Sequence, residues 1–296
     1  MQMWDAAAAN RRNSFLILVF FILFIYSLVW LINYVFGFGE IFLIVAFIIA
    51  LIGSFFSYYY SDKIVLAISG ARPVSHEENP YLYHLVEGLA IAAGIPTPKC
   101  YIIEDTAPNA FATGRNPENA VICVTTGLLK KLNRAELEGV IAHEMSHIKN
   151  YDIRYMTIVA VLVGTVVLLS DWMLRAFVWG GDRSRSRGRG SGLIIIIAIV
   201  AAILAPIIAT LIKLALSRQR EYLADADAAA LTRYPEGLAS ALEKLASDKE
   251  PLEAANRATA HLYIVNPLKS DVGSKIASLF STHPPIEERI KRLRSM

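Results

Sequence analysis

The six residues Ala142-His143-Glu144-Met145-Ser146-His147, "AHEMSH", decide how the chain is read. His143 and His147 are four apart, so on a helix they differ by only about 40° and project from one face about 6 Å apart. Two imidazoles so placed can bind one Zn²⁺, at Zn–N distances near 2.0–2.1 Å. Glu144 follows the first histidine directly, where its carboxylate can reach a water on the metal, take its proton and later pass it to a leaving amine. The signature is H-E-x-x-H, and at this chain's His and Glu content a chance match is about a one-in-a-hundred event. The plain alternative is a polar helix face carrying two unconnected histidines.

The surrounding sequence supports a helix. Asn133 is placed to cap a helix over 134–150, with Glu136 as the third residue of a capping box. Upstream, "HEENPYLYHLVEGLAIAAGI" (76–95) reads as an amphipathic helix ended by Gly94 and Pro96. "KCYIIE" (99–104), "NAFATG" (109–114) and "NAVICVTTGLL" (119–129) read as strands, with "RNPEN" (115–119) as the turn between the last two. Downstream, "SRQREYLADADAAALT" (217–232), "PEGLASALEKLAS" with Pro235 at a favoured first position, and the basic "HPPIEERIKRLRSM" (283–296) read as helices.

A catalytic zinc needs a third protein ligand and an open position. "REYLAD" offers Glu221, with Asp225 one turn further along the same face. Glu221 is the candidate ligand, and Asp225 can hold His143 or His147 by its other ring nitrogen. His76, His84 and His261 have no partners at ligand spacing.

The chain of 296 residues is 55% hydrophobic with a mean hydropathy of +0.44, too apolar for an ordinary soluble domain. Phe15 to Ile32 and Ile41 to Tyr60 are long enough to cross a bilayer, and so is Leu193 to Ile212, with a kink expected at Pro206. A fourth stretch, Tyr155 to Ser170, reaches spanning length only if it continues past Asp171, with Arg175 pairing one turn on. Arg11 and Arg12 ahead of the first stretch place the N-terminus in the cytoplasm, and its apolar run is too long for a signal peptide. The expected plan is a two-helix hairpin over 1–60 and the first part of a water-facing domain over 61–154. A second hairpin, crossing or only dipping into the membrane, then covers 155–217, and the domain resumes over 218–296. The loop "GGDRSRSRGRGSG" (180–192) is arginine-rich, and a full crossing sets its four arginines against the positive-inside tendency. Two cysteines, Cys100 and Cys123, without C-x-x-C spacing, exclude a disulfide framework and suit a reducing compartment.

"AHEMSH", "EYLAD", "NAFATG" and "STHPP" (281–285), in this order between apolar pairs, resemble the HtpX-like membrane zinc metalloproteases, relatives of the type 1 CAAX prenyl proteases. The resemblance spans nearly the whole chain. It implies a mainly α multi-pass membrane protein with a small β-sheet and a gluzincin-type zinc metalloprotease domain. It makes His143, His147 and Glu221 the ligands of one Zn²⁺ per chain and Glu144 the general base. It makes Asn109, Ala110, Phe111 and Ala112 part of an edge strand that binds substrate main chain to main chain, with Asn109 near the scissile bond. His283 and Arg289 look like the late pair that stabilises the oxyanion. The implied function is cleavage of misfolded or damaged membrane proteins at the cytoplasmic face of a bacterial or archaeal inner membrane, with the lipid bilayer as partner and no nucleic acid. A prenyl protease is the alternative enzyme, but it encloses its site in more membrane helices than this chain offers. A non-catalytic scaffold or holdase is the alternative of another class, and it would have no need of Glu144.

Overall fold

The computed structural model describes residues 3–36, 39–162, 218–248, 250–254, 259–265, 267 and 284–296. Helices α1 (Met3–Phe36) and α2 (Glu40–Ile68) pack on each other, with the rings of Tyr26 and Phe47 meeting edge to face at 5.8 Å. A two-residue strand β1 (Arg72–Pro73) leads to helix α3 (Pro80–Ala93). Asn79 caps α3 through Leu82 N, and Gly94 ends it in the left-handed conformation at φ 69°, where a side chain would be strained. The helix starts at Pro80, so His76 to Glu78 of the expected helix lie in the preceding turn.

Strands β2 (Lys99–Ile103), β3 (Ala110–Gly114) and β4 (Ala120–Thr125) complete a sheet of order β1-β2-β4-β3. β2 runs parallel to β4, while β1 and β3 are antiparallel to their neighbours. "TTGLL", expected to extend the last strand, instead opens helix α4 (Thr126–Lys131), because the Thr125 hydroxyl caps Leu128 N at 3.1 Å. Alternation along the strands feeds two cores. Ala110, Ala112, Ala120, Ile122 and Val124 face the core built by the helices, while Phe111, Val121 and Cys123 face a second core with Val65 and Leu66 of α2 and Tyr263. Strand β4 therefore has no polar face, and both cysteines are buried and free.

Helix α5 (Arg134–Lys149) carries the two histidines and begins with the expected capping box: Glu136 N bonds Asn133 Oδ1 at 3.0 Å, and Asn133 N bonds Glu136 Oε2 at 2.8 Å. Residues 152–162 form a further helix, α6, after a turn at Tyr151. Helices α7 (Arg218–Thr232) and α8 (Pro235–Ser247) both lie on α5, and α9 (Ile286–Leu293) lies on α8. Burial works against the charge of Glu136, but Lys244 Nζ and Ser240 Oγ, each at 2.7 Å, hold it below the ordinary carboxylate range and tie α8 to the start of α5.

Among the described residues, no helix is long and apolar enough to cross a membrane. Most of the expected second hairpin, with Asp171, Arg175, the arginine loop and Pro206, lies outside the described residues.

The α5–α8 contact sets the first test. A Cβ on Gly139 would stand 2.6 Å from Leu238 N, and one on Gly237 would stand 2.6 Å from Ala135 O. Gly139→Ala must push the two backbones apart and should cost about 1–3 kcal/mol, read as a lowered denaturation midpoint.

Candidate metal centre and active site

His143 and His147 lie on the face of α5 turned towards α7, both buried, with their Nε2 atoms 3.2 Å apart. Glu221, in the first turn of α7, brings its carboxylate to the same point: Oε2 is 3.7 Å from His143 Nε2, and Oε1 is 3.5 Å from His147 Nε2. Among the described residues these three form the group able to hold a metal ion, their ligand atoms all within 4.8 Å of one another. A tetrahedral zinc with ligands near 2.0–2.1 Å has ligand–ligand edges of about 3.3 Å. The separations seen here bracket that value, so the three groups fit the ion without rearrangement of the helices.

Each imidazole is oriented by a carboxylate on its other nitrogen. Asp225 Oδ1 lies 3.0 Å from His143 Nδ1, and Asp152 Oδ2 lies 3.0 Å from His147 Nδ1. Asp225 thus serves His143 rather than His147. Asp152, which sequence reasoning missed, serves His147. Burial opposes a charge on His147, yet Asp152, Glu221 and Glu144 raise its pKa to about 9, the mark of a strongly basic ring. His143 shifts the other way, lowered by burial.

Arg289 closes the back of the site, with no exposed surface. Its Nε and Nη2 donate to the two oxygens of Asp225 at 2.8 and 2.7 Å, a bidentate pair, and Nη1 donates to Ile264 O at 3.2 Å and lies 3.4 Å from Glu221 Oε2. Nη2 is also 3.4 Å from His143 Nε2. Burial works to raise the pKa of Asp225, but the guanidinium outweighs it and keeps the carboxylate ionised. Arg289 therefore positions Asp225 in this arrangement, close to the three candidate metal ligands. His283, its expected companion at the oxyanion, lies outside the described residues.

Glu144 is buried beside the ligands and accepts a hydrogen bond from Ala112 N–H. Burial, reinforced by Glu221, lifts its pKa to about 7, while His147 and the Ala112 amide pull the other way. A carboxyl poised there can both take and give a proton at neutral pH.

The Ala112 bond follows from the sheet. β3 is bonded to β4 on one side, so alternate residues, Ala110 and Ala112 among them, aim their main chain at the far side. Ala112 meets Glu144 there, and Ala110 O accepts from Ile264 N at 3.0 Å. Asn109 donates from Nδ2 to Val265 O at 2.9 Å and sits beneath the same segment. The expected substrate edge from Asn109 to Ala112 is thus buried, its Asn109 end covered by residues 264–265, and Tyr263 packs edge to face on Phe111 at 5.1 Å.

A buried H-E-x-x-H helix, with a carboxylate delivered from a second helix and a further carboxyl, that of Glu144, beside it, is the arrangement of a metallopeptidase. Comparison with known proteins gives the same class. Residues 76–296 match the model of Peptidase family M48, and the chain belongs to that family. "Protease HtpX homolog" from Dictyoglomus turgidum is 54% identical over 294 residues, covering 99% of this chain and 94% of that protein. The protein of the same name from Thermococcus sibiricus is 50% identical over 279 residues, covering 92% of each. The crystal structure of S. mikatae Ste24p shares the fold at a TM-score of 0.50 and 19% identity, over 98% of this chain and 66% of that one. The protein is a metalloprotease.

Removing Arg289 tests how the site is held. Arg289→Leu leaves Asp225 and Glu221 buried without their cation, which should cost about 3–5 kcal/mol in a denaturant titration of the metal-free protein.

Proposed function

We propose that the chain is a membrane-held zinc endopeptidase in which His143, His147 and Glu221 hold one Zn²⁺. The observation that carries this reading is the convergence of those three groups beside Glu144 on the Ala112 amide. When bound, the ion would polarise the scissile carbonyl and acidify the attacking water. Glu144 takes the proton of that water on its carboxylate and delivers it to the leaving amine. Asp225 and Asp152 hold the two imidazoles, and Arg289 keeps Asp225 ionised. By family resemblance His283 and Arg289 also serve the oxyanion.

By family resemblance an extended substrate segment adds along β3 at Asn109 to Ala112, in the place that residues 264–265 now occupy through Ala110 O and Asn109. Recognition of that kind reads backbone, which suits unfolded or damaged proteins over one fixed sequence. The membrane part of the proposal rests on the sequence stretches and on the outward faces of α1 and α2. Large apolar side chains stand exposed there, Phe15 at 65% and Ile41 at 78% among them, and a bilayer would cover them. The hairpins at 1–60 and 155–217 would anchor a catalytic domain made of 61–154 and 218–296 at the cytoplasmic face of a bacterial or archaeal inner membrane, with misfolded membrane proteins as substrates.

The test is cleavage of unfolded casein by the detergent-solubilised chain with zinc. Glu144→Gln should cut at least about 100-fold more slowly while still binding one zinc, and a chelator should abolish cleavage until zinc is returned. Zinc binding by both proteins with cleavage by neither, while both hold unfolded chains, would make the protein a binding scaffold and end the protease reading of this site.

A further inference from the structure

Asn10 belongs to α1, yet its side chain is buried 140 residues away in sequence, against the turn that joins α5 to α6. Both amide hydrogens have an acceptor: Nδ2 donates to Asn150 O at 2.9 Å and to Asp152 Oδ1 at 2.6 Å. The residue spanned by this clamp is Tyr151, which holds φ 59°, a left-handed backbone that costs a residue with a side chain about 1–2 kcal/mol. Arg11, next along α1, sets its guanidinium 5.0 Å from the centre of the Tyr151 ring. Asp152 then uses its second oxygen, Oδ2, for His147 Nδ1. Arg220 Nε, 3.8 Å from Oδ1, also faces this carboxylate.

The chemistry calls for an amide. The two acceptors, a carbonyl and a carboxylate, need two donors on one planar nitrogen, which an aspartate or a leucine of similar size lacks. Asparagine is also a poor helix former, so its place inside a long helix has no local advantage. We propose that Asn10 is a positioning residue for the metal centre: it pins the 150–152 turn and, through Asp152, fixes the ring of His147. The proposal rests on the reading of His143, His147 and Glu221 as the zinc ligands. It makes metal retention depend on the docking of α1.

The test measures zinc affinity of the full-length, detergent-solubilised protein by competition with a chromophoric chelator, for the wild type, Asn10→Leu, Asp152→Ala and the double variant. Asn10→Leu keeps the side chain's size and favours the helix, so loss of fold is not expected. Asn10→Ala is the second variant should the larger side chain disturb the packing. Asn10→Leu should raise the zinc dissociation constant about tenfold, the usual scale for losing such support, and should add little once Asp152 is alanine. Cobalt(II) in place of zinc should show altered visible absorption in Asn10→Leu, a sign of changed ligand geometry that a purely structural loss would not give. Wild-type zinc affinity in both Asn10 variants overturns the proposal, as does a loss that adds in full to that of Asp152→Ala. If the wild type binds no zinc, or Glu221→Ala binds it unchanged, the ligand assignment itself falls and this proposal with it.

Discussion

The pairing of Arg289 with Asp225 is the interaction on which the site depends. Four carboxylates, those of Glu144, Asp152, Glu221 and Asp225, and two imidazoles are buried together around the meeting of α5 and α7, and a bare carboxylate in such a place would neutralise itself by taking up a proton. The guanidinium prevents this for Asp225, because it stays charged at any working pH and offers a planar fork to both oxygens. Its remaining donors reach Ile264 O and the neighbourhood of Glu221. Helix α9 therefore helps to build the candidate site although it supplies none of the three candidate ligands.

The sheet contributes a second kind of order. Period-two alternation sends its side chains into two cores, and the same alternation aims the main chain of Ala110 and Ala112 away from β4. One of these groups seats Glu144, and another holds the chain's own residues 264–265. The seat of Glu144 and the hold on residues 264–265 thus share one strand, their spacing set by the 3.3 Å rise of a β residue.

Much of this was legible in the sequence because it is local. The i, i+4 histidines, the Asn133–Glu136 capping box, Pro235 at a helix start and Glu221 with Asp225 one turn on all follow from helical geometry within a few residues. Asp152 was not legible: it lies five residues past His147, beyond the end of α5, and reaches the ring only because Tyr151 adopts a left-handed turn that no sequence pattern announces. Asn10 was hidden for a different reason, since its partners are remote and it stands before an apolar run that draws attention to lipid. "TTGLL" misled by composition: β-favouring threonines continued the strand on paper, while the Thr125 hydroxyl served as a helix cap. Arg289 was picked out for the oxyanion by resemblance, and its bond to Asp225 needed the tertiary fold to appear.

Gly139 and Gly237 leave α5 and α8 with no side-chain layer between them where they cross. Side chains in such a layer would act as a cushion, absorbing small shifts by changing rotamer. Backbone laid on backbone has no such compliance, so the two helices respond to a load as one stiff strut. The angle at which His143 and His147 are presented is consequently set with α8, a helix that contributes no candidate ligand and that Arg294 braces along its exposed side through Glu236 and Glu243.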